Sequence, residues 1–297
     1  MINKTRVDKK FLNLFTYSSI SSPNDNLHLF TLKIQNNRFL YQELSRALHG
    51  IVINFCLSPR EINEISNPGI EYVEAVNKFR DYNSNHGELG ELLLYSLLET
   101  HLEAPKLLSK MMLKTSTNDY VKGADGIHIR ELEDGSYHMI FGESKLNQSY
   151  QTGLYRAFHS INEYLTREKN NIYHEIRLVN SHLKNEFVEK DEAYEFLKKI
   201  IIPSEDEVEI DNAFSIFVGF EIDFTDAELA LNGSGFRKMA KDKVEEIILK
   251  EVDYIEEKIS KYNLSAYPFY IYAMPFTNLE TTRTKMIGNL MEAKYDF

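Results

Sequence analysis

The chain has 297 residues, of which 43% are hydrophobic and 27% are charged, and its formal net charge is −11. This composition is typical of a soluble globular protein, and no apolar run approaches the roughly 18 residues that suggest a membrane span. Proteins that bind nucleic acid unaided usually present a basic surface. A nucleic-acid role of this acidic chain would therefore rest on a local basic patch, on metal ions or on a partner.

The N-terminus and the cysteine content indicate the cellular compartment. The first 15 residues, MINKTRVDKKFLNLF, lack the apolar segment and cleavage site of a secretory signal. Cys56 is the single cysteine, lies in an apolar run and cannot form an intramolecular disulfide. The sequence predicts a buried thiol and a cytoplasmic location.

Residues 1–80 predict an N-terminal α/β segment. The pattern favours a strand at 27–34, a helix at 38–48 and an apolar strand at 51–57. Two prolines and the polar stretch 80–87 then interrupt it. We expect this segment to be distinct from residues 81–297 and either to pack onto them or to bind a partner.

Residues 81–297 predict the main α/β domain, a mixed central β-sheet flanked by helices. The expected elements are a helix at 88–101, a β-hairpin at 123–146, a helix from 149 to 168, strands at 214–222 and 269–276, and a charged helix at 236–262. The acidic stretch 204–212 is expected to be a solvated loop.

The hairpin turn determines which residues face each other. The letters EDG at 133–135 suit a three-residue loop in which Gly135 adopts the left-handed conformation. Leu132 then pairs with Ser136, and counting back along both strands places Asp125 opposite Glu143. A two-residue Asp-Gly loop would shift this register by one and put Asp125 on the other face.

Lys145 shares a face with Glu143 because side chains alternate along a strand, and Asp125 joins them in the first register. Facing carboxylates repel unless a cation lies between them, and their hard oxygens suit Mg²⁺ or Mn²⁺. Lys145 can orient or deprotonate a metal-bound water, or stabilise charge on a scissile phosphate.

The preceding helix, GELGELLLYSLLETHLE, carries several acids. Its helical projection places Glu88, Glu99 and Glu103 together on a solvent-facing arc and Glu91 inside the apolar arc. An inward carboxylate needs a cation or a metal-bound water, which makes Glu91 the expected site residue and Glu88 the substitute. Gly90, also on the apolar arc, permits close approach of another backbone.

These residues resemble the PD-(D/E)XK nucleases. Asp125 followed by Glu143, Ser144 and Lys145 is similar to their D…(D/E)-x-K signature, although Ala124 stands where the signature has proline. The letters GELGE resemble the first-helix glutamate. Six residues past the lysine, QTGLY resembles the Q-x-x-x-Y element of RecB-type exonucleases.

More closely, HGELGELLLYSLLE, GADGIHI and FGESKL resemble the HamA effector family of the Hachiman anti-phage system. The resemblance implies a restriction-endonuclease-like core and a Mg²⁺-dependent DNase, with Mn²⁺ as a substitute, acting beside HamB, a superfamily 2 helicase that delivers DNA. It implies metal binding by Asp125, Glu143, Glu91 and a main-chain carbonyl near Ser144, with Lys145 positioning the nucleophile and Gln151 and Tyr155 helping to place the strand.

Other interpretations remain open. The chain could be a non-catalytic assembly or sensor subunit of a helicase complex, or a sequence-specific restriction endonuclease or junction resolvase. The charged hairpin residues could form a surface ion pair, and Gln151 and Tyr155 could be a capping residue and a core aromatic. His128 and His138, on the other face of the hairpin, are expected to be exposed or hydrogen-bonded rather than a metal pair.

Overall fold

The computed structural model describes residues 5–21, 25–79, 87–113, 123–166 and 209–292, with a few further positions between 172 and 181. Its strands are β1 (Phe15–Ser21), β2 (Asp25–Leu32), β3 (Ile34–Gln35), β4 (Arg38–Phe39), β5 (Lys106–Ser109), β6 (Gly126–Glu131), β7 (Tyr137–Asn147), β8 (Ile210–Glu221) and β9 (Phe269–Phe276). Seven of them form one mixed sheet of order β1-β2-β9-β8-β7-β6-β5, and β3 pairs with β4.

Helices flank this sheet, as predicted. They are α1 (Tyr41–Cys56), α2 (Pro59–Ile65), α3 (Pro68–Asn77), α4 (Glu88–Thr100), α5 (Lys110–Leu113), α6 (Tyr150–Thr166), α7 (Asp226–Leu229), α8 (Gly233–Leu249), α9 (Val252–Lys261) and α10 (Leu279–Glu292). A 3-10 helix, Lys9–Leu14, precedes β1. The fold class is therefore confirmed as α/β.

The predicted strand at 51–57 is wrong, because helix α1 continues through it to Cys56. The buried residues Leu44, Leu48, Val52 and Phe55 recur at helical spacing, and the apolar run 51–57 completes this stripe. The predicted breaks hold, since Pro59 and Pro68 each stand in the first turn of a new helix, where a missing N–H costs nothing. The predicted loop 80–87 lies outside the described residues except for position 87.

The C-terminal elements follow the sequence pattern with two differences. Strand β9 spans the predicted residues, whereas β8 begins earlier and includes residues 210–212 of the predicted acidic loop; residues 204–208 lie outside the described ranges. The predicted helix 236–262 is two helices, α8 and α9, which are separated at Lys250 and Glu251.

The N-terminal segment shares the main sheet. Strand β2 pairs in parallel with β9, with Leu27 opposite Ile271, and β1 continues the sheet as its antiparallel edge. The first and last parts of the chain are thus joined by backbone hydrogen bonds. A partner-binding role of residues 1–80 stays a prediction.

Helix α4 is buried on both sides. It packs on β7 and β8 with one side and against α1 and the 3-10 helix with another. Glu88 is only 5% exposed and Glu99 is fully buried, so the prediction that these acids face solvent is wrong. Glu99 accepts hydrogen bonds from the backbone N–H groups of Arg6 and Lys106. The N-terminal segment covers an arc that helical periodicity alone assigns to solvent.

Helix α6 covers the opposite face of the sheet, and its close approach depends on Gly153. A Cβ built at Gly153 would lie 2.3 Å from Cγ1 of Val218 on β8. A side chain there cannot fit unless Val218 shifts or the helix moves away from the sheet. The layers are therefore α4, the sheet and α6, with the hairpin strand β7 between the two helices.

We predict that Gly153→Ala destabilises the protein, whereas Gly50→Ala stabilises it. Both glycines are helical, and alanine in a helix gains roughly 0.5–1 kcal/mol from propensity. Nothing lies within 4 Å of a Cβ at Gly50, so only Gly153→Ala meets a clash. Urea unfolding of both variants measures the difference, and Val218→Ala should partly rescue Gly153→Ala. Equal stability of the two variants would contradict the close packing of α6.

Candidate functional site

The hairpin turn has the predicted geometry. The N–H of Leu132 donates to the carbonyl of Ser136 at 2.9 Å, and the N–H of Gly135 donates back to the Leu132 carbonyl at 3.0 Å. Gly135 has a φ of 85°, the left-handed region in which a Cβ is unfavourable. The loop of three residues is therefore confirmed.

This turn sets the register that brings Asp125 beside Glu143. Gly126 pairs with Gly142 in the ladder between β6 and β7. Asp125 comes immediately before the first of these residues and Glu143 immediately after the second. The N–H of Asp125 also donates to the Gly142 carbonyl at 2.8 Å, which fixes the backbone where β6 begins.

The Asp125 carboxylate is buried and fully engaged. Oδ2 accepts from the N–H of Ser144 at 2.6 Å and from its hydroxyl at 2.8 Å, while Oδ1 accepts from Nζ of Lys110 at 2.6 Å. Burial would raise the pKa of Asp125, but the charges of Lys110 and Lys145 and these hydrogen bonds outweigh burial and lower it. Asp125 is thus held as a carboxylate.

Glu143 and Lys145 form an ion pair on the face of β7 that α6 covers. Lys145 donates to Oε1 of Glu143, and 14% of the Glu143 side chain and 25% of the Lys145 side chain are exposed. Burial and the charge of Asp125 raise the pKa of Glu143, and the two lysines only partly oppose this. Of the two carboxylates Asp125 and Glu143, Glu143 is therefore the one whose negative charge a further cation would stabilise more.

Lys110, which the sequence analysis missed, completes the row. Strand β5 pairs with β6 so that Ser109 faces Gly126, and the next residues, Lys110 and Asp125, meet at the strand ends. A β-bulge within β5 shifts the register by one residue before this point. A lysine directly after an apolar strand was the available signal, but no sequence pattern reveals the bulge that aligns it with Asp125.

The surroundings of Lys110 are strongly acidic. Burial would lower its pKa, but the charges of Asp125, Glu91 and Glu143 outweigh burial and raise it. One ammonium therefore lies within electrostatic reach of all three carboxylates that the sequence assigned to the site. The structure brings these four side chains together.

Glu88 is buried and Glu91 half-buried, so the prediction that Glu88 is the exposed acid is wrong. Glu91 nevertheless lines a small cavity of about 10 Å³ together with Asp125, Tyr95 and His128. That volume is close to the minimum for one water. Gly90 allows α4 to pack closely on β7 beside this cavity, since a Cβ there would lie 3.2 Å from Oγ of Ser144.

Gln151 and Tyr155 lie one turn apart on the exposed side of α6. Tyr155 is 48% exposed, and its ring stacks on His159 with the ring planes 1° apart. Tyr155 is therefore not a core aromatic. The neighbouring Leu154 supplies the buried contact instead.

The donor set suits a hard divalent cation. Asp125 and Glu143 offer carboxylate oxygens, and their mutual repulsion is what such an ion would relieve. Within the described ranges no group of three or more His, Cys, Asp or Glu side chains is placed to hold a metal. Mg²⁺ usually takes one or two carboxylates and several waters, so two carboxylates and the main chain at Ser144 are compatible with it.

The hairpin histidines are structural, as expected. Nδ1 of His128 donates to the Ala104 carbonyl at 2.8 Å, and Nδ1 of His138 hydrogen-bonds the Tyr270 hydroxyl at 2.7 Å. Burial lowers the pKa of His128 to about 4. Its imidazole is therefore neutral near pH 7, with Nε2 left as an acceptor at the cavity wall.

The fold and site together define an α/β protein whose charged cluster lies across the adjacent strands β5, β6 and β7. The chain belongs to the HamA family, whose model matches residues 8–290. It is thus associated with Hachiman anti-phage defence. No curated protein matches the chain. Among the described residues, no helix has the length and apolar character needed to cross a membrane.

We predict that stability falls as pH falls from about 6.5 to 4. The unfolded state takes up a proton at the ordinary histidine pKa of 6.5, whereas buried His128 does so only near 4. The contribution is present in full above pH 6.5 and is lost toward pH 4, at up to about 1.4 kcal/mol per pH unit.

Urea unfolding between pH 8 and 4 checks this for the native chain and His128→Gln. The variant should show a shallower dependence on pH. At pH 8 residue 128 is neutral in both states, so the difference there reports the lost hydrogen bond and the lost ring contact with Tyr95. Parallel curves would contradict the assignment.

Proposed function

We propose that this protein is a metal-dependent deoxyribonuclease that hydrolyses phosphodiester bonds as the effector of its defence system and acts with a helicase partner. The observation that carries the proposal is the convergence of Asp125, which lies just before β6, with Glu143 and Lys145 on the adjacent strand β7. A purely structural hairpin gains nothing from burying two repelling carboxylates. The resemblance to PD-(D/E)XK nucleases supports a role of these residues in metal binding and phosphodiester hydrolysis.

Asp125, Glu143 and the Ser144 main-chain carbonyl would hold Mg²⁺ or Mn²⁺, with Glu91 supporting an outer-shell water. When bound, the ion polarises a phosphodiester and lowers the pKa of a water. Lys145 lies beside Glu143 and remains partly exposed. Its ammonium can orient the attacking water and stabilise negative charge on the phosphate.

The exposed side of α6 is the proposed contact for the DNA strand. Gln151 and Tyr155 are exposed on the helix that follows β7, a few residues after Lys145. An exposed ring can stack on a base without regard to sequence. The net charge of −11 disfavours unaided DNA binding, which supports delivery by a helicase.

Catalysis is tested by substitutions at Lys145 and Glu143. Lys145→Ala and Glu143→Gln should each reduce Mg²⁺-dependent cleavage of plasmid and linear DNA at least about a hundredfold, because each removes a group that acts on the reacting atoms or the metal. Digestion is measured with Mg²⁺, Mn²⁺ or EDTA, with and without the co-encoded helicase.

The controls are Lys250→Ala and Glu246→Gln, which remove the same residue types from an exposed ion pair at the C-terminal end of α8. They should retain native activity. If a folded native chain that still binds its helicase cuts under no condition, the protein is an assembly or sensor subunit instead.

Substrate binding is tested by substitutions at Tyr155. Tyr155→Ala should weaken binding to single-stranded DNA by about 1–3 kcal/mol, the usual value of one base stack, and leave the melting temperature unchanged. Tyr155→Phe should retain most of the affinity. The control is Leu249→Ala, since Leu249 is 57% exposed on another helix. Equal affinities of Tyr155→Ala and Leu249→Ala would argue against this surface.

A further inference from the structure

Lys110 has no part in the mechanism above, although it contacts the site directly. Its Nζ lies 2.6 Å from Oδ1 of Asp125, and 22% of its side chain is exposed. The remaining oxygen of Asp125 already accepts two hydrogen bonds from Ser144. A cation that binds Asp125 must therefore approach the oxygen that Lys110 occupies.

The charges of the cluster point to the same competition. Asp125, Glu91 and Glu143 carry three negative charges, and Lys110 and Lys145 carry two positive charges. A divalent ion added to this set makes it net positive while both ammonium groups remain. Departure of one ammonium restores neutrality. Lys145 is paired with Glu143, whereas Lys110 is paired with Asp125, so the ammonium that must leave Asp125 is that of Lys110.

The Lys110 backbone is anchored while its side chain is long. The N–H of Lys110 donates to the Asp125 carbonyl at 3.3 Å, and the preceding Ser109 hydroxyl donates to the Phe55 carbonyl at 3.0 Å. The four-carbon stem of lysine carries a compact ammonium that can rotate away without moving the strand. Displacement of the ammonium thus requires no change in the sheet.

We propose that Lys110 is a built-in competitor of the divalent cation, and that its ammonium must leave Oδ1 of Asp125 before the cation binds there. This inference rests on the proposed metal-dependent function and adds to it a threshold in the free cation concentration. Lys110 is a regulatory residue of the site and not a catalytic one. The nuclease would engage its metal only when the free cation concentration exceeds that set by this competition.

The test is Mn²⁺ binding by the full chain, followed through the electron paramagnetic resonance signal of free Mn²⁺. Lys110→Met, which keeps the stem and removes the charge, should bind Mn²⁺ at least about tenfold more tightly, the lower end of the coupling expected for a close charge pair. Lys110→Arg should bind Mn²⁺ no more tightly than the native chain. Asp125→Asn should lose the site.

Lys78→Met is the matched control, because Lys78 is a similarly buried lysine that pairs with Glu61 away from the site. It should leave Mn²⁺ affinity unchanged. Lys110→Met should also melt at a lower temperature without metal and gain more from added Mn²⁺ than the native chain, which a merely structural lysine would not do. Equal affinity of Lys110→Met and the native chain would overturn the proposal while leaving a metal site intact.

A second measurement uses the native chain alone, in case Lys110→Met does not fold. The ¹⁵N resonance of the Lys110 ammonium should move as diamagnetic Mg²⁺ saturates the protein, because the hydrogen bond to Asp125 breaks. An unchanged resonance at saturation would overturn the competition. Absence of any Mn²⁺ or Mg²⁺ binding by the native chain would instead overturn the proposed function itself.

Discussion

A row of opposite charges across the adjacent strands β5, β6 and β7 is the constraint on which the site depends. Lys110, Asp125 and Glu143 follow one another from β5 to β7, and Lys145 pairs with the last of them. Removing any one of them leaves a largely buried charge without its partner, which is far more costly than losing a surface ion pair. The strand pairing and the charge pairing therefore stabilise each other.

The two sides of this row differ in their access to water. On the α4 side, Gly90 lets the helix approach Ser144, and the Ser144 hydroxyl and N–H hold Asp125 in a space that admits about one water. On the α6 side, Glu143 and Lys145 keep part of their side chains exposed. Electrostatic interactions are stronger in the drier part, so Asp125 is held more rigidly than the partly exposed pair.

The N-terminal segment is important to the site although none of the carboxylates comes from it. It packs against α4 and contacts the buried Glu99, which uses both carboxylate oxygens to hold the backbone of Arg6 and Lys106. Lys106 opens β5, the strand that ends at Lys110. The N-terminal segment is thus connected through Glu99 to β5, the strand that positions Lys110 beside Asp125.

The sequence by itself determined the local features. Turn chemistry at Gly135 set the hairpin register, period-two alternation put Glu143 and Lys145 on one face, and helical spacing located α4 and α6, because each depends on residues near one another in the chain. It failed where distant parts of the chain meet. Residues 51–56 are helical because they extend a buried stripe, and Glu99 is buried because the N-terminal segment contacts it through Arg6. Only the tertiary structure decided that Lys110 joins the site, since a β-bulge and the pairing of β5 with β6 bring it to Asp125 across 15 residues of sequence.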